Sequence, residues 1–189
     1  MIYEKKEIRL DKINLSYCKH IKLRLANIND AEFILNLRLD PELNRHVSKV
    51  ESNLEQQKQW LRSYKKREQK RNEFYFIIES KQGAQFGAVR LYDFKEDSFC
   101  WGSWIIKRCS PNYAAIESAL TIYEFAFYEL GFYRSHFDVR KGNERVIKFH
   151  EHFGAKRISS NAENYYFNFE KTDYEVTKMR YKKYFASTR

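Results

Sequence analysis

Residues 133–157 read YRSHFDVRKGNERVIKFHEHFGAKR, and this stretch decides the fold. Its first eight residues are rich in β-prone side chains and read as a strand ending near Arg140. Asn143 then offers a helix start, and Gly154 stands where a helix C-cap belongs. Between them, Asn143, Ile147 and His150 fall on one helical face about 10 Å long. Val146, Phe149 and Phe153 form the apolar stripe beside it. A strand fed directly into an amphipathic helix is a unit of layered α/β architecture.

The same pattern extends outward in both directions. A long helix is expected from about Pro111 to Leu130, with Ile116, Leu120, Tyr123, Phe127 and Leu130 at helical spacing. Before it stand three strand candidates, EFYFIIES (73–80), QFGAVRLYDF (85–94) and SFCWGSWII (98–106), with SKQG (80–83) as a hairpin turn. IKLRLANI (21–28) alternates as a half-buried strand, and Asn29 with Glu32 forms a capping-box pattern for a helix that stops near Asp40–Pro41. Ser52 with Glu55 repeats the capping signal for a second helix carrying Leu54, Leu61 and Tyr64. NYYFNFEK (164–171) is a late strand. The expected order is βααβββαβαβ, a mixed sheet with helices on both sides.

The chain has 189 residues, 43% hydrophobic and 17% aromatic, a composition that excludes disorder and suits a single domain over 1–189. Residues 1–20 read as an N-terminal extension and 175–189 as a basic C-terminal segment. No apolar run reaches the roughly 18 residues of a membrane helix, and MIYEKKEIRL has no signal-peptide core. The three cysteines (Cys18, Cys100, Cys109) lack zinc-ligand spacing and read as reduced thiols, so a cytoplasmic protein without metal is expected. The net charge of +10 favours an anionic ligand. Its densest runs, YKKREQKR (64–71) and KMRYKKYF (178–185), read as solvated helix faces without a nucleic-acid-binding signature.

With FAFYELGFYRSHFDVRKGNERVIKFHEHFGA (125–155), LRLDPEL (37–43), WGSWII (101–106) and this element order, the chain resembles the GNAT superfamily of N-acetyltransferases. It looks closest to the branch holding ribosomal-protein N-terminal and amino-sugar acetyltransferases. The resemblance runs from about Ile21 to Phe169. It implies a mostly antiparallel mixed sheet with splayed central strands, acetyl-CoA as acyl donor bound in the splay, and an amine as acceptor.

The resemblance also distributes roles. The family's pyrophosphate motif, Q/R-x-x-G-x-G/A, falls on Ser110, Pro111, Asn112, Tyr113, Ala114 and Ala115, and only Ala115 fits it. Two readings stay open for this glycine-free segment. It is a capped helix start without ligand, with Ser110 as N-cap and Pro111 at the first helical position. Alternatively, its free amides bind the pyrophosphate with help from Lys107 and Arg108. Backbone amides near Trp104, Ile105 and Ile106 are implied to hold the thioester carbonyl. In the family pattern N-x-x-A-x-x-L-Y, Asn143 takes the asparagine position and His150 replaces the tyrosine that protonates the departing thiolate. An unperturbed histidine pKa of about 6.5 suits that task. His46, between the first two helices, is placed where relatives roof the acceptor, and Arg38 and Arg90 could meet acceptor phosphate or carboxylate. No general base stands out among Glu79, Asp93 and Glu117.

The expected activity is acetyl transfer to a small polar amine, with a nucleotide-linked amino sugar first. The rivals are acetylation of a protein N-terminus and a non-catalytic GNAT-like module that uses its basic face on nucleic acid. Oligomeric state stays open, a homodimer included.

Overall fold

The computed structural model describes residues 9–10 and 13–187. Eight strands form one sheet in the order β1-β2-β3-β4-β5-β6-β8-β7. They are β1 (Asn14–Leu15), β2 (Ile21–Leu25), β3 (Phe74–Ser80), β4 (Gln85–Tyr92), β5 (Ser98–Ile106), β6 (Arg134–Arg140), β7 (Lys156–Ser160) and β8 (Asn164–Glu170). Every neighbouring pair is antiparallel except β5 and β6. The helices are α1 (Ala31–Leu39), α2 (Leu54–Gln69), α3 (Tyr113–Glu124), α4 (Glu144–Phe153) and α5 (Lys171–Arg180).

Period-two alternation sorts the strand residues onto two faces. Tyr75, Ile77, Ala88 and Ile105 pack under α1 and α2 with Ile34, Leu37, Leu61 and Tyr64; this is the roof face. Phe74, Phe76, Leu91, Phe99 and Trp101 point the other way and join α3 and α4 in the main core. Glu117, on α3, is fully buried there, and its carboxylate accepts the His20 and Ile21 amides. The long helix expected over 111–130 runs regularly to Glu124 and finishes in a π-helical turn, Phe125–Glu129.

Several local expectations need correction. The first cap is Asn27, not Asn29: Asn27 accepts the Asn29 amide, and the Asp30 carboxylate accepts the Asn27 amide while pairing with Arg24. That ion pair draws the capping box two residues earlier than the alternation suggests. The second helix is capped by Asn53, which accepts the Gln56 amide, rather than by Ser52. Leu54 is exposed, leaving Leu61 and Tyr64 as the buried stripe. Ser110 is not an N-cap; its hydroxyl donates to the Phe86 carbonyl at 3.2 Å, and α3 starts after Asn112. Three elements are additional. β1 takes residues 14–15 out of the expected extension and into the sheet. β7 is exposed at all five residues, so it carries no apolar signal and is held by its ladder to β8. α5 buries only Tyr174 and Thr177. Residues 1–8, 11–12 and 188–189 of the expected terminal segments lie outside the described residues.

Candidate active site

β5 and β6 pair at two positions, Ser98↔Arg134 and Phe99↔Ser135, and then part. From Cys100 onward the edge of β5 that faces β6 has no strand partner among the described residues, so a cleft opens in the middle of the sheet. On its other edge β5 is bulged. Arg90 pairs with Gly102 and Ala88 with Ile105, which sets one extra residue in β5 against β4. Ser103 takes the strain at φ +47. A bulge re-aims the local peptide groups, and here it lies beside the open edge. Unpaired amides on a bulged strand are the donors that a thioester carbonyl, and the oxyanion made from it, require.

At the C-terminal end of β5, Lys107 donates its amide to Phe86 and Ser110 its amide to Lys107. The Ala114 amide closes a turn on the Pro111 carbonyl at 2.9 Å. The amides of Asn112, Tyr113 and Ala115 find no backbone partner among the described residues. Tyr113 does not crowd them, because its ring stacks on His20 at 4.3 Å and meets Phe86 edge-on. The helix start thus presents free donors without glycine. Arg108 leans away from it, pairing with Glu42 at 2.7 Å across a cavity of about 410 Å³ lined also by Phe33, Asn36 and Leu43. Lys107 lines the same cavity.

On the core side of the cleft lies His150. Its ring packs against Trp101 (5.3 Å), Phe137 (4.3 Å) and Phe149 (5.5 Å), with Trp104 at 6.4 Å. It is 5% exposed, and its Nδ1 is buried without a hydrogen-bond partner. Burial alone lowers its pKa from 6.5 to about 3, so the ring is neutral at pH 7. Trp104 is tied down by its indole N–H to Ser118 Oγ (3.1 Å), and Trp101 by its own to the Tyr123 hydroxyl (2.9 Å). Asn143 heads α4 with no side-chain capping bond, half-buried on the same side.

The roof side is polar. Arg90 is opposite Gly102 on β4 and Tyr75 is opposite Arg90 on β3. The Arg90 guanidinium lies over Trp60 (5.0 Å), Tyr92 (5.1 Å) and Tyr75 (5.9 Å) and donates to Glu73 at 2.6 Å. Arg38, on α1, donates to the Ser48 carbonyl and hydroxyl. Burial raises the Tyr75 hydroxyl to about 12, with Arg38 and Arg90 both pulling it down. Of the two arginines only Arg90 lies against the Tyr75 ring, and each keeps a buried Nε without a partner. His46 lies in the α1–α2 connection, half-buried.

Residues 20–156 match the family model of the acetyltransferase (GNAT) domain. The chain belongs to the GNAT acetyltransferases. FdhC, described as a nucleotide-linked sugar GNAT, is 45% identical over 92% of this chain and 98% of its own, with a TM-score of 0.84. Two more distant structures share the GNAT fold. Ribosomal-protein-S5-alanine acetyltransferase from Vibrio fischeri has 15% identity, 86% and 99% coverage and a TM-score of 0.73. Spermidine N-acetyltransferase from Vibrio cholerae, solved with CoA and spermine, has 18% identity, 82% and 98% coverage and a TM-score of 0.68. No curated protein sequence matches the chain.

The GNAT frame separates the expected site residues into three groups. Trp104–Ile106 line the cleft, 110–115 stand at its end, and Arg38, Arg90 and His46 belong to the roof side. Sequence reasoning missed Trp60, Glu73, Tyr75 and Tyr92, which surround Arg90. The signal was present: 73, just before β3, and 75 on it, with 90 and 92 on β4, share one face by extended-chain periodicity.

Proposed function

We propose that this GNAT protein transfers the acetyl group of acetyl-CoA to the amine of a nucleotide-linked amino sugar, in the cytoplasm. Arg90, set among Tyr75, Tyr92 and Trp60 and opposite Gly102 of the bulged strand, carries this reading. A diphosphate brings about two negative charges, and a fixed guanidinium answers it with hydrogen bonds that a neutral acceptor has no use for. The 45% identity to FdhC over nearly the whole chain supports the same acceptor class.

In this reading the residues divide the work. The amides of Asn112, Tyr113 and Ala115 meet the pyrophosphate of the donor, and Asn143 lies along its path. The open edge of β5 at Trp104–Ile106 holds the thioester carbonyl and then the oxyanion. Arg38 and Arg90 hold the acceptor's anionic part, with His46 in the roof above it. The amine attacks as the free base; the C–N bond forms, the C–S bond breaks, and the amine's proton ends on sulfur. His150 is neutral, so it serves as a fixed hydrogen-bond donor toward the departing sulfur rather than as an imidazolium.

Thiol release with acetyl-CoA and a panel of amines tests the reading. A nucleotide-linked 3-amino or 4-amino hexose is expected to show a kcat/KM at least about tenfold above the free amino sugar, since a charged hydrogen bond contributes roughly 1.5–3 kcal/mol. Turnover of peptide N-termini with none of amino sugars would replace the acceptor.

A further inference from the structure

Gly102 precedes the strained bulge residue Ser103, yet it is not among the glycines with positive φ, so backbone conformation does not demand glycine there. Space does. A Cβ on Gly102 would lie 2.9 Å from the Tyr92 hydroxyl, with the nearest ring carbons at an ordinary 3.6 and 3.7 Å. The last residue of β4 therefore lays its hydroxyl directly over the main chain of β5 at the point where the cleft opens, on the roof side.

The state of that hydroxyl is also defined. Burial raises its pKa above the usual tyrosine value, and the Cys100 thiol adds to the shift as its hydrogen-bond partner. Cys100 is buried on the same face, its own pKa raised by burial to about 11 and lowered by the Tyr92 hydrogen bond. Tyr92 and Cys100 stand opposite each other in the β4–β5 ladder; burial keeps the hydroxyl protonated at neutral pH, and its oxygen can accept a hydrogen bond. Arg90 and Asp138 are the charged groups that act on it, and Arg90 lies against the ring at 5.1 Å. Asp138 is on β6, across the cleft.

We infer that Tyr92 touches the acceptor: its phenolic oxygen accepts an N–H of the incoming amine beside Gly102. An amine so held directs its lone pair along the open edge of β5 toward the carbonyl held there, the near-attack arrangement from which acyl transfer gains most. The reaction class rests on the proposed acetyl transfer, but any amine acceptor would use this contact. Tyr92 takes up no proton during the reaction; it positions the nucleophile by touching it.

Two substitutions and their combination separate this role from packing. With the amine that the wild-type protein acetylates fastest, Tyr92→Phe is expected to lower kcat/KM by about tenfold or more. Acetyl-CoA affinity by calorimetry and the shape of the pH profile should not move. Gly102→Ala, which forces a Cβ against the hydroxyl, is expected to lower both activity and Tm. In Gly102→Ala/Tyr92→Phe the clash is gone, so Tm should return toward wild type while activity stays low. If activity returns together with Tm, or if Tyr92→Phe works at the wild-type rate, Tyr92 only fills space and the inference falls. A wild-type protein that acetylates peptides but no amino sugar overturns the proposed acceptor and leaves this test intact; one that acetylates no amine overturns both.

Discussion

The two sides of β5 at the cleft differ as much as any two regions of this molecule. On the core side, His150 sits dry among Trp101, Phe137 and Phe149, with one ring nitrogen unpartnered. On the roof side, Arg90 is held by Glu73 and by three aromatic rings, Tyr92 among them. One side offers low dielectric and a buried imidazole; the other offers fixed charge. Acyl transfer needs both, because the departing sulfur is best met where water is excluded, and an ionic acceptor is best caught where charge is already compensated. The bulge at Ser103 is the hinge between these environments.

The largest effect is expected on the dry side. Replacing His150 by Phe keeps a ring in the aromatic pocket and removes the donor, and turnover should fall about 100-fold, the low end for deleting one aimed donor. His150→Tyr should recover part of that loss. Stability should move independently. Because folding lowers the His150 pKa from 6.5 to about 3, the unfolded chain binds the extra proton between these values. The fold therefore loses stability as pH falls through that window, by up to about 1.4 kcal/mol per pH unit from this group. Urea midpoints measured at pH 7 and pH 4.5 should converge in His150→Phe relative to wild type. Wild-type turnover in His150→Phe would reduce the dry side to packing and break the comparison.

This histidine also marks how far the sequence could be read. Its place on α4 followed from spacing alone, since Asn143, Ile147 and His150 repeat at helical intervals and Gly154 does end the helix, at φ +110. Its protonation state could not follow, because apart from neighbouring Phe149 the rings that dry it come from other elements, β5, β6 and β8. The central strands were legible for the same reason as the helix: β3 is buried at every residue and carries a continuous apolar run. β7 was not, being exposed throughout and fixed only by backbone pairing. The start of α3 misled for a third reason. Ser110 has the chemistry of a cap, but the Phe86 carbonyl on the neighbouring strand competes for its hydroxyl. Local propensity yields to a tertiary partner there.

The next effect belongs to the charged side. Arg90→Glu should remove most of the preference for a nucleotide-linked over a free amino sugar, a loss of about tenfold in kcat/KM ratio. In the wild type that preference should shrink as salt is raised. Lys66→Glu makes the same charge change on the exposed face of α2 and should alter the ratio by less than about twofold, as befits a screened surface charge. Equal losses in the two variants would mean that the +10 net charge, not the placed Arg90 guanidinium, attracts the acceptor. The roof side would then be no more specific than the rest of the surface.

The smallest effect is expected at Arg108, and its smallness is informative. If side chains supplied the charge that the pyrophosphate segment lacks, Lys107→Ala/Arg108→Ala should weaken acetyl-CoA binding strongly and flatten its salt dependence. The Arg108 guanidinium instead pairs with Glu42 and lies 3.9 Å from Asp40, with its side chain 58% exposed. A partner so exposed contributes roughly 0–1 kcal/mol, so Arg108→Ala alone should change acetyl-CoA affinity by less than about fivefold in calorimetry. The free amides of Asn112, Tyr113 and Ala115 would carry the rest, and these no side-chain truncation removes. Acetyl-CoA should accordingly still bind the Arg108→Ala protein well above acetyl-pantetheine, which lacks the nucleotide. A drop of 50-fold or more would show that the guanidinium leaves Glu42 for the pyrophosphate, and that the donor end of the cleft is built on charge like the roof. A retained affinity leaves the charged side confined to the acceptor and the donor held by backbone alone.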